Sequence, residues 1–210
     1  MPARSVLYFH GFASSPRSQK VESLAALLAP DIELNAPDLN RPSFRELDFE
    51  EMVRLGVSAG HGNPPRAIVG SSLGALVALE VVRRGIVAPL VLIAPALGVG
   101  EHWLGTVPAG DPVLVFNHVL NAKTPIHRAF FEQMRKVRPE TAPPVTRVTV
   151  IMGEKDETIP VALVRGVWND WERSGNLVAG SSFIEIPNGD HSLVAHVDVI
   201  AREIRSAALR

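Results

Sequence analysis

Cysteine is absent from this 210-residue sequence, which excludes disulfides, thiolate metal centres and a cysteine nucleophile at once. Long apolar runs are missing as well. Although 46% of the residues are apolar, no stretch approaches the ~20 residues that a membrane-spanning helix needs. Charge of one sign is also lacking: 21 Lys and Arg face 22 Asp and Glu, a formal net charge of −1. That balance gives no electrostatic case for nucleic acid or a membrane surface as partner. Internal repeats and low-complexity tracts are absent, and so is a Gly-rich phosphate loop of nucleotide-binding spacing. The seven histidines are dispersed and form no metal-ligand spacing, so neither a metal nor another cofactor is expected. The opening Met1-Pro-Ala-Arg-Ser runs straight into Val6-Leu-Tyr-Phe without an apolar leader, which predicts a cytoplasmic protein.

What is present is enough chain for one domain, 1–210, with a substantial core and no linker dividing it. Short runs rich in Val, Ile, Leu or Phe predict strands at 5–10, 31–35, 67–70, 90–94, 147–152 and 182–186. Helical spacing links Val21, Leu24 and Leu28; Leu73, Leu76, Val77 and Val81; Val164, Val167, Trp168 and Trp171; and Leu193, Val197, Ile200 and Ile204. Strands alternating with helices and apolar on both faces predict an α/β fold: a mostly parallel sheet of about six strands with helices on both faces. Reactive groups in such sheets sit on loops at the carboxyl ends of the strands.

One of those loops carries Gly70-Ser-Ser-Leu-Gly74, placed between a predicted strand and a predicted helix. With 16 glycines in the chain, a Gly-x-Ser-x-Gly pentapeptide arises by chance in roughly one such sequence in ten, so its setting matters more than its letters. A serine on a sharp strand-to-helix turn needs small neighbours two residues to either side. Ser72 has Gly70 and Gly74 there, whereas Ser71 has Val69 and Leu73. Ser72 is the candidate nucleophile.

A serine hydroxyl needs a base within reach and a third group to orient that base. His191 follows the last predicted strand through the turn-forming Pro187-Asn-Gly-Asp, at the start of the last predicted helix, and is the candidate base. His196 falls one turn further along that helix, His61 reads as a loop residue, and His102, His118 and His127 lie in a long intervening segment. Asp156 follows the fifth predicted strand and is the candidate orienting acid, with Glu154 and Glu157 on the same loop as alternatives. Leu73 N–H, beside the nucleophile at a helix N-terminus, is a candidate oxyanion donor. Phe12 N–H is the second, on the loop after the first strand, where Gly11 permits a turn, His10 packs beneath, and Ser14 or Ser15 caps the next helix.

Residues 97–145 are too long for a plain connection. They are read as one sheet-covering helix, about 126–137, plus a partial lid, or as aromatics that simply pack that helix on the sheet. Val99, Trp103, Leu104, Phe116 and Phe130 are the candidate substrate-binding residues. Arg128, Arg135, Lys136 and Arg138 form a basic stretch that suits a solvated face, or an anionic group such as a coenzyme A phosphate.

With these motifs in order, the chain resembles the α/β-hydrolase superfamily. His10-Gly-Phe-Ala-Ser-Ser-Pro-Arg-Ser-Gln-Lys20 together with Gly70-Ser-Ser-Leu-Gly74 is similar to the YqiA-type bacterial esterases in particular. The resemblance implies carboxylic-ester hydrolysis through Ser72, His191 and Asp156 on a small-molecule ester or thioester, without cofactor. It also implies a reduced sheet, since the first strand already carries the oxyanion loop and no leading antiparallel hairpin precedes it. A thioesterase or acyltransferase with the same residues, or a silent hydrolase fold serving as a binding module, are the alternatives.

Overall fold

The computed structural model describes residues 3–100, 105 and 107–209. Its strands in chain order are β1 (Arg4–Phe9), β2 (Ile32–Asn35), β3 (Ala67–Ser71), β4 (Leu90–Ile93), β5 (Val113–Asn117), β6 (Ala122–Ile126), β7 (Val148–Gly153) and β8 (Ser182–Ile186). Six of them form one parallel sheet in the order β2-β1-β3-β4-β7-β8, and β5 pairs with β6 in a separate antiparallel hairpin. Strands apolar on both faces are stable only where both faces are covered. β3 and β4 are buried from end to end, and β1 is buried from Ser5 to Phe9.

The covering helices are α1 (Gln19–Leu28), α2 (Phe49–Gly62), α3 (Leu73–Arg83), α4 (Arg128–Lys136), α5 (Val161–Arg173) and α6 (Val197–Leu209). Helix α3 packs against β1, β3 and β4 and is paired with α2; α6 lies across β3 and β4 and is paired with α1. Buried position follows composition here: in α3 nine residues, including Leu76, Val77, Ala78 and Val81, are buried. Asp48 caps α2 by accepting from Glu51 N–H at 2.9 Å. Gln133 of α4 then donates to the other Asp48 oxygen at 3.0 Å and accepts from Phe49 N–H at 2.8 Å, tying the two helices at their ends. Among the described residues no helix is long and apolar enough to cross a membrane.

Several expectations change. Helix α2 and the β5–β6 hairpin are additions that the apolar spacing does not announce. His61 belongs to the last turn of α2, not to a loop. Helix α6 starts at Val197 after a 3-10 turn at Val194–His196, so His191 lies on the loop ahead of that turn, not at the helix start. His196 closes that 3-10 turn. Ser18, not Ser14 or Ser15, is the N-cap position of α1, and the Ser15 hydroxyl instead accepts from Arg17 N–H at 3.1 Å. The helix expected at 126–137 is α4, with His127 at its N-cap.

Candidate active site

The β3-to-α3 turn holds Ser72 at φ 53° and ψ −118°, a left-handed conformation that costs a side-chain-bearing residue roughly 1–3 kcal/mol. The surroundings enforce it. A Cβ at Gly74 would lie 2.1 Å from the Phe9 carbonyl oxygen, and one at Gly70 would lie 2.5 Å from Ala75 Cα, so only glycine lets α3 approach β1 this closely. Ser72 N–H donates to Ile93 O at 2.9 Å, and its carbonyl accepts from Ala75 and Ala96 N–H.

The loops after β7 and β8 bring two more side chains to that turn. Their backbones touch: a Cβ on Gly153 would lie 2.4 Å from Gly189 O, and Lys155 N–H donates to Gly189 O at 2.8 Å. Glu154 braces the same junction by accepting from Asn188 N–H at 3.2 Å. Asp156 therefore faces His191, with Oδ2 2.8 Å from Nδ1, and His191 Nε2 is 3.2 Å from Ser72 Oγ. The Asp156 side chain is fully buried. Its other oxygen accepts from Thr158 N–H at 2.9 Å and Ile159 N–H at 2.7 Å, so both oxygens of this buried group are hydrogen-bonded. This geometry can pass the serine proton to the imidazole and hold the resulting cation against a carboxylate.

The neighbouring acids are occupied otherwise. Asp190 turns away from His191: against partial burial, the Ser192 hydroxyl and the Leu193 N–H hold its carboxyl below the usual carboxylate range. Glu157 lines the cleft instead of meeting the imidazole. His10 is almost fully buried beneath the β1 loop, accepting at Nε2 from Leu39 N–H at 3.0 Å, which leaves the proton on Nδ1 to donate to Gly11 O at 2.9 Å. Burial lowers its pKa despite the Gly11 carbonyl and Asp38, so it stays neutral.

A cleft of about 470 Å³ opens over Ser72 and His191. Phe12 and Leu73 form its floor, and Val99, Val115, Phe116 and Ile159 its apolar walls. Phe130 is not in those walls: it is buried behind Phe12, with ring centroids 5.8 Å apart and planes nearly parallel. Trp103, Leu104 and His102 lie outside the described residues. His118 was not among the expected pocket residues but lines the cleft, and its N–H donates to Ala13 O at 3.1 Å. Only the hairpin turn brings it there, which no sequence spacing signals. Arg128 of the basic stretch is engaged with the Pro108 and Gly110 carbonyls, and His127 with Asp111.

A parallel sheet with helices on both faces and a serine at this turn is the α/β-hydrolase fold. Residues 5–174 match UPF0227, described as an uncharacterised protein family, and the chain belongs to it. Solved structures agree on the fold. Est1E from Butyrivibrio proteoclasticus with ferulic acid bound superposes with TM-score 0.75 at 14% identity, over 99% of this chain and 88% of that one. Mouse alpha/beta hydrolase domain-containing protein 10 gives 0.72 at 18% identity, over 96% and 88%. The esterase domain of a Rhodothermus marinus protein gives 0.70 at 17% identity, over 100% and 86%.

Proposed function

We propose that this protein is a serine carboxylic-ester hydrolase acting on small to medium acyl esters. The observation that carries the reading is the unbroken hydrogen-bond path from buried Asp156 through His191 to Ser72 at the floor of a cleft. In the reaction Ser72 Oγ attacks the ester carbonyl as His191 Nε2 takes its proton, and Asp156 holds the imidazole in the tautomer this requires. His191 returns the proton to the departing alkoxide. Water then attacks the acyl-serine by the same route and releases the acid.

Charge on the tetrahedral oxygen falls to two backbone donors. Leu73 is the first residue of α3, so its N–H has no partner within the helix and carries the positive end of the helix dipole. Phe12 N–H belongs to the same planar trans peptide as the Gly11 carbonyl. Because His10 draws that carbonyl down beneath the loop, the N–H points the opposite way. The mixed apolar wall of the cleft suits an acyl or alkyl chain, and the ester chemistry of the Rhodothermus domain, an esterase by name, is compatible with it.

The test is covalent labelling of the folded protein with a fluorophosphonate, with the modified residue located by mass spectrometry. Labelling confined to Ser72, lost in Ser72→Ala together with a fall on the order of 10⁴–10⁶ in ester turnover, is the expected result. A Ser72→Ala variant that still hydrolyses esters refutes it.

A further inference from the structure

Beneath the cleft floor lies a cation that the reaction just described does not use. Lys20, on α1, sends its ammonium to Ser71 Oγ at 3.0 Å, and Ser71 precedes Ser72 at the end of β3. The fully buried Tyr8 hydroxyl of β1 shares the same serine. The carboxylates of Asp190 and Asp156, on the loops after β8 and β7, both attract this ammonium electrostatically. Asp156 in turn holds His191. A lysine paired with a serine invites a reading as a second nucleophilic dyad. The cleft wall argues against that: Ser72 lines it, while Ser71 is buried and neither Ser71 nor Lys20 is among the residues that form it.

Resting on the hydrolase reading, we propose that Lys20 is a positioning residue whose ammonium, fixed to Ser71 directly behind the nucleophile, holds a positive charge beside the place where negative charge develops when Ser72 attacks. The sign follows from Coulomb interaction. The Ser71 hydrogen bond keeps that positive charge one residue from the nucleophile. The same charge favours the oxyanion that forms beside Ser72. Tyr8 does not compete for the role, because burial holds its phenol above the usual range and uncharged, against the pull of Ser71.

The ammonium is itself near its titration point. Burial pushes Lys20 down to about 8 from an ordinary value of 10.5, with Asp190 and then Asp156 pulling it back up. Lysine holds its proton below that value and loses it above. The effect on the site is therefore present at neutral pH and fades as the pH rises through about 8.

The pH dependence of the rate at which a fluorophosphonate labels Ser72 tests this without knowledge of the natural ester. Wild type is expected to decline above about pH 8. Lys20→Met should label about three- to tenfold more slowly at pH 7, with no decline on the alkaline side. Lys20→Arg, which keeps the charge at all these pH values, should hold the wild-type rate at pH 7 and also lose the alkaline decline. A Lys20→Met profile that overlays wild type overturns the proposal. So does a slower Lys20→Met rate with the alkaline decline unmoved, which is the signature of a packing role. If Lys20→Met does not fold, Lys20→Arg decides alone, and an alkaline decline that persists in it refutes the assignment. Absence of Ser72 labelling in wild type would instead strike the hydrolase reading itself, and the two failures are thereby told apart.

Discussion

On the turn and loop that carry Ser72 and His191, Ser72, Asn188 and Leu193 hold left-handed backbone angles, with φ of 53°, 58° and 50°, and Ala13 and Ala94 past the ends of neighbouring strands do the same. At the rim, the strands of the β5–β6 hairpin run in ordinary extended conformation, with one left-handed residue, Asn121 at φ 49°, in the turn that joins them, and the hairpin leaves Leu114, Phe116, Val119 and Leu120 47–64% exposed. The floor is over-determined: Ser72 and Ala94 N–H donate to the Ile93 and Ile151 carbonyls of the sheet, and Asn188 and Leu193 N–H donate to the Glu154 and Asp190 carboxylates. The hairpin is fixed at its base by buried Val113 and Ile126 and near its tip by the His118 to Ala13 hydrogen bond. Strain of this kind persists only where surrounding structure over-determines it. Groups that must meet within tenths of an ångström are lodged in the first region, and groups that only shape a cleft in the second.

The sharpest way to break that contrast is at the elbow. Gly74→Ala puts a methyl 2.1 Å from the Phe9 carbonyl oxygen and 2.7 Å from that of His10, both backbone atoms of the central sheet and its loop. Nothing flexible can yield, so a loss of ~3 kcal/mol or more in denaturant unfolding and abolished fluorophosphonate labelling are expected. An active, stable Gly74→Ala would show that the elbow has slack.

Asp156→Asn should leave the fold intact and cost about 10³–10⁴ in labelling rate. The amide oxygen must stay on the Thr158 and Ile159 N–H groups, so the NH₂ is turned toward His191 Nδ1. The imidazole is then forced to carry its proton on Nε2, where it cannot accept from Ser72. Near-wild-type labelling in this variant would pass the orienting role to another acid.

The same contrast explains what the chain revealed before any coordinates. Strands β1, β3, β4 and β7 are legible because both faces are apolar; Ser72 and Asp156 are legible as positions because they follow β3 and β7, and His191 because it follows the edge strand β8 through the turn-forming Pro187-Asn-Gly-Asp. Helix α2 was not, because two of its core-facing positions are Gly56 and Gly60, where a Cβ would meet Val81 and Ile86 at 2.7 and 2.6 Å. The packing that fixes the helix erases its apolar period. The hairpin was hidden by the opposite cause: its strands bury only their ends, so Lys123, Thr124 and Pro125 read as loop. Phe130 sits behind the cleft instead of in it because an aromatic in a long connecting segment gives no sign of whether it faces substrate or supports the residue that does.

At the rim, Phe116→Ala should have a moderate and substrate-dependent effect. The ring lines the cleft and rests edge-on against His118 at 5.2 Å, without contributing to the buried core. Truncation is expected to leave labelling by a small fluorophosphonate within about threefold, and to reduce kcat/KM for longer acyl esters by about tenfold relative to acetyl esters. An equal loss across the ester series would place Phe116 among the groups that hold the floor.

The smallest effect is expected at the hairpin tip. Leu120 is 64% exposed, and its N–H is already held by the Asn117 side chain at 3.1 Å, a bond that does not depend on what the residue carries beyond Cβ. Leu120→Ser therefore removes apolar surface that water already touches, and stability should change by no more than about 0.5 kcal/mol, with Ser72 labelling unaltered. The same substitution at a floor position of equal size, Leu193, buries a hydroxyl where the side chain is fully enclosed and should cost several times more. If the two variants lose stability equally in thermal or denaturant unfolding, the tip is as tightly determined as the floor. The division between a rigid floor and a yielding rim would then have to be given up.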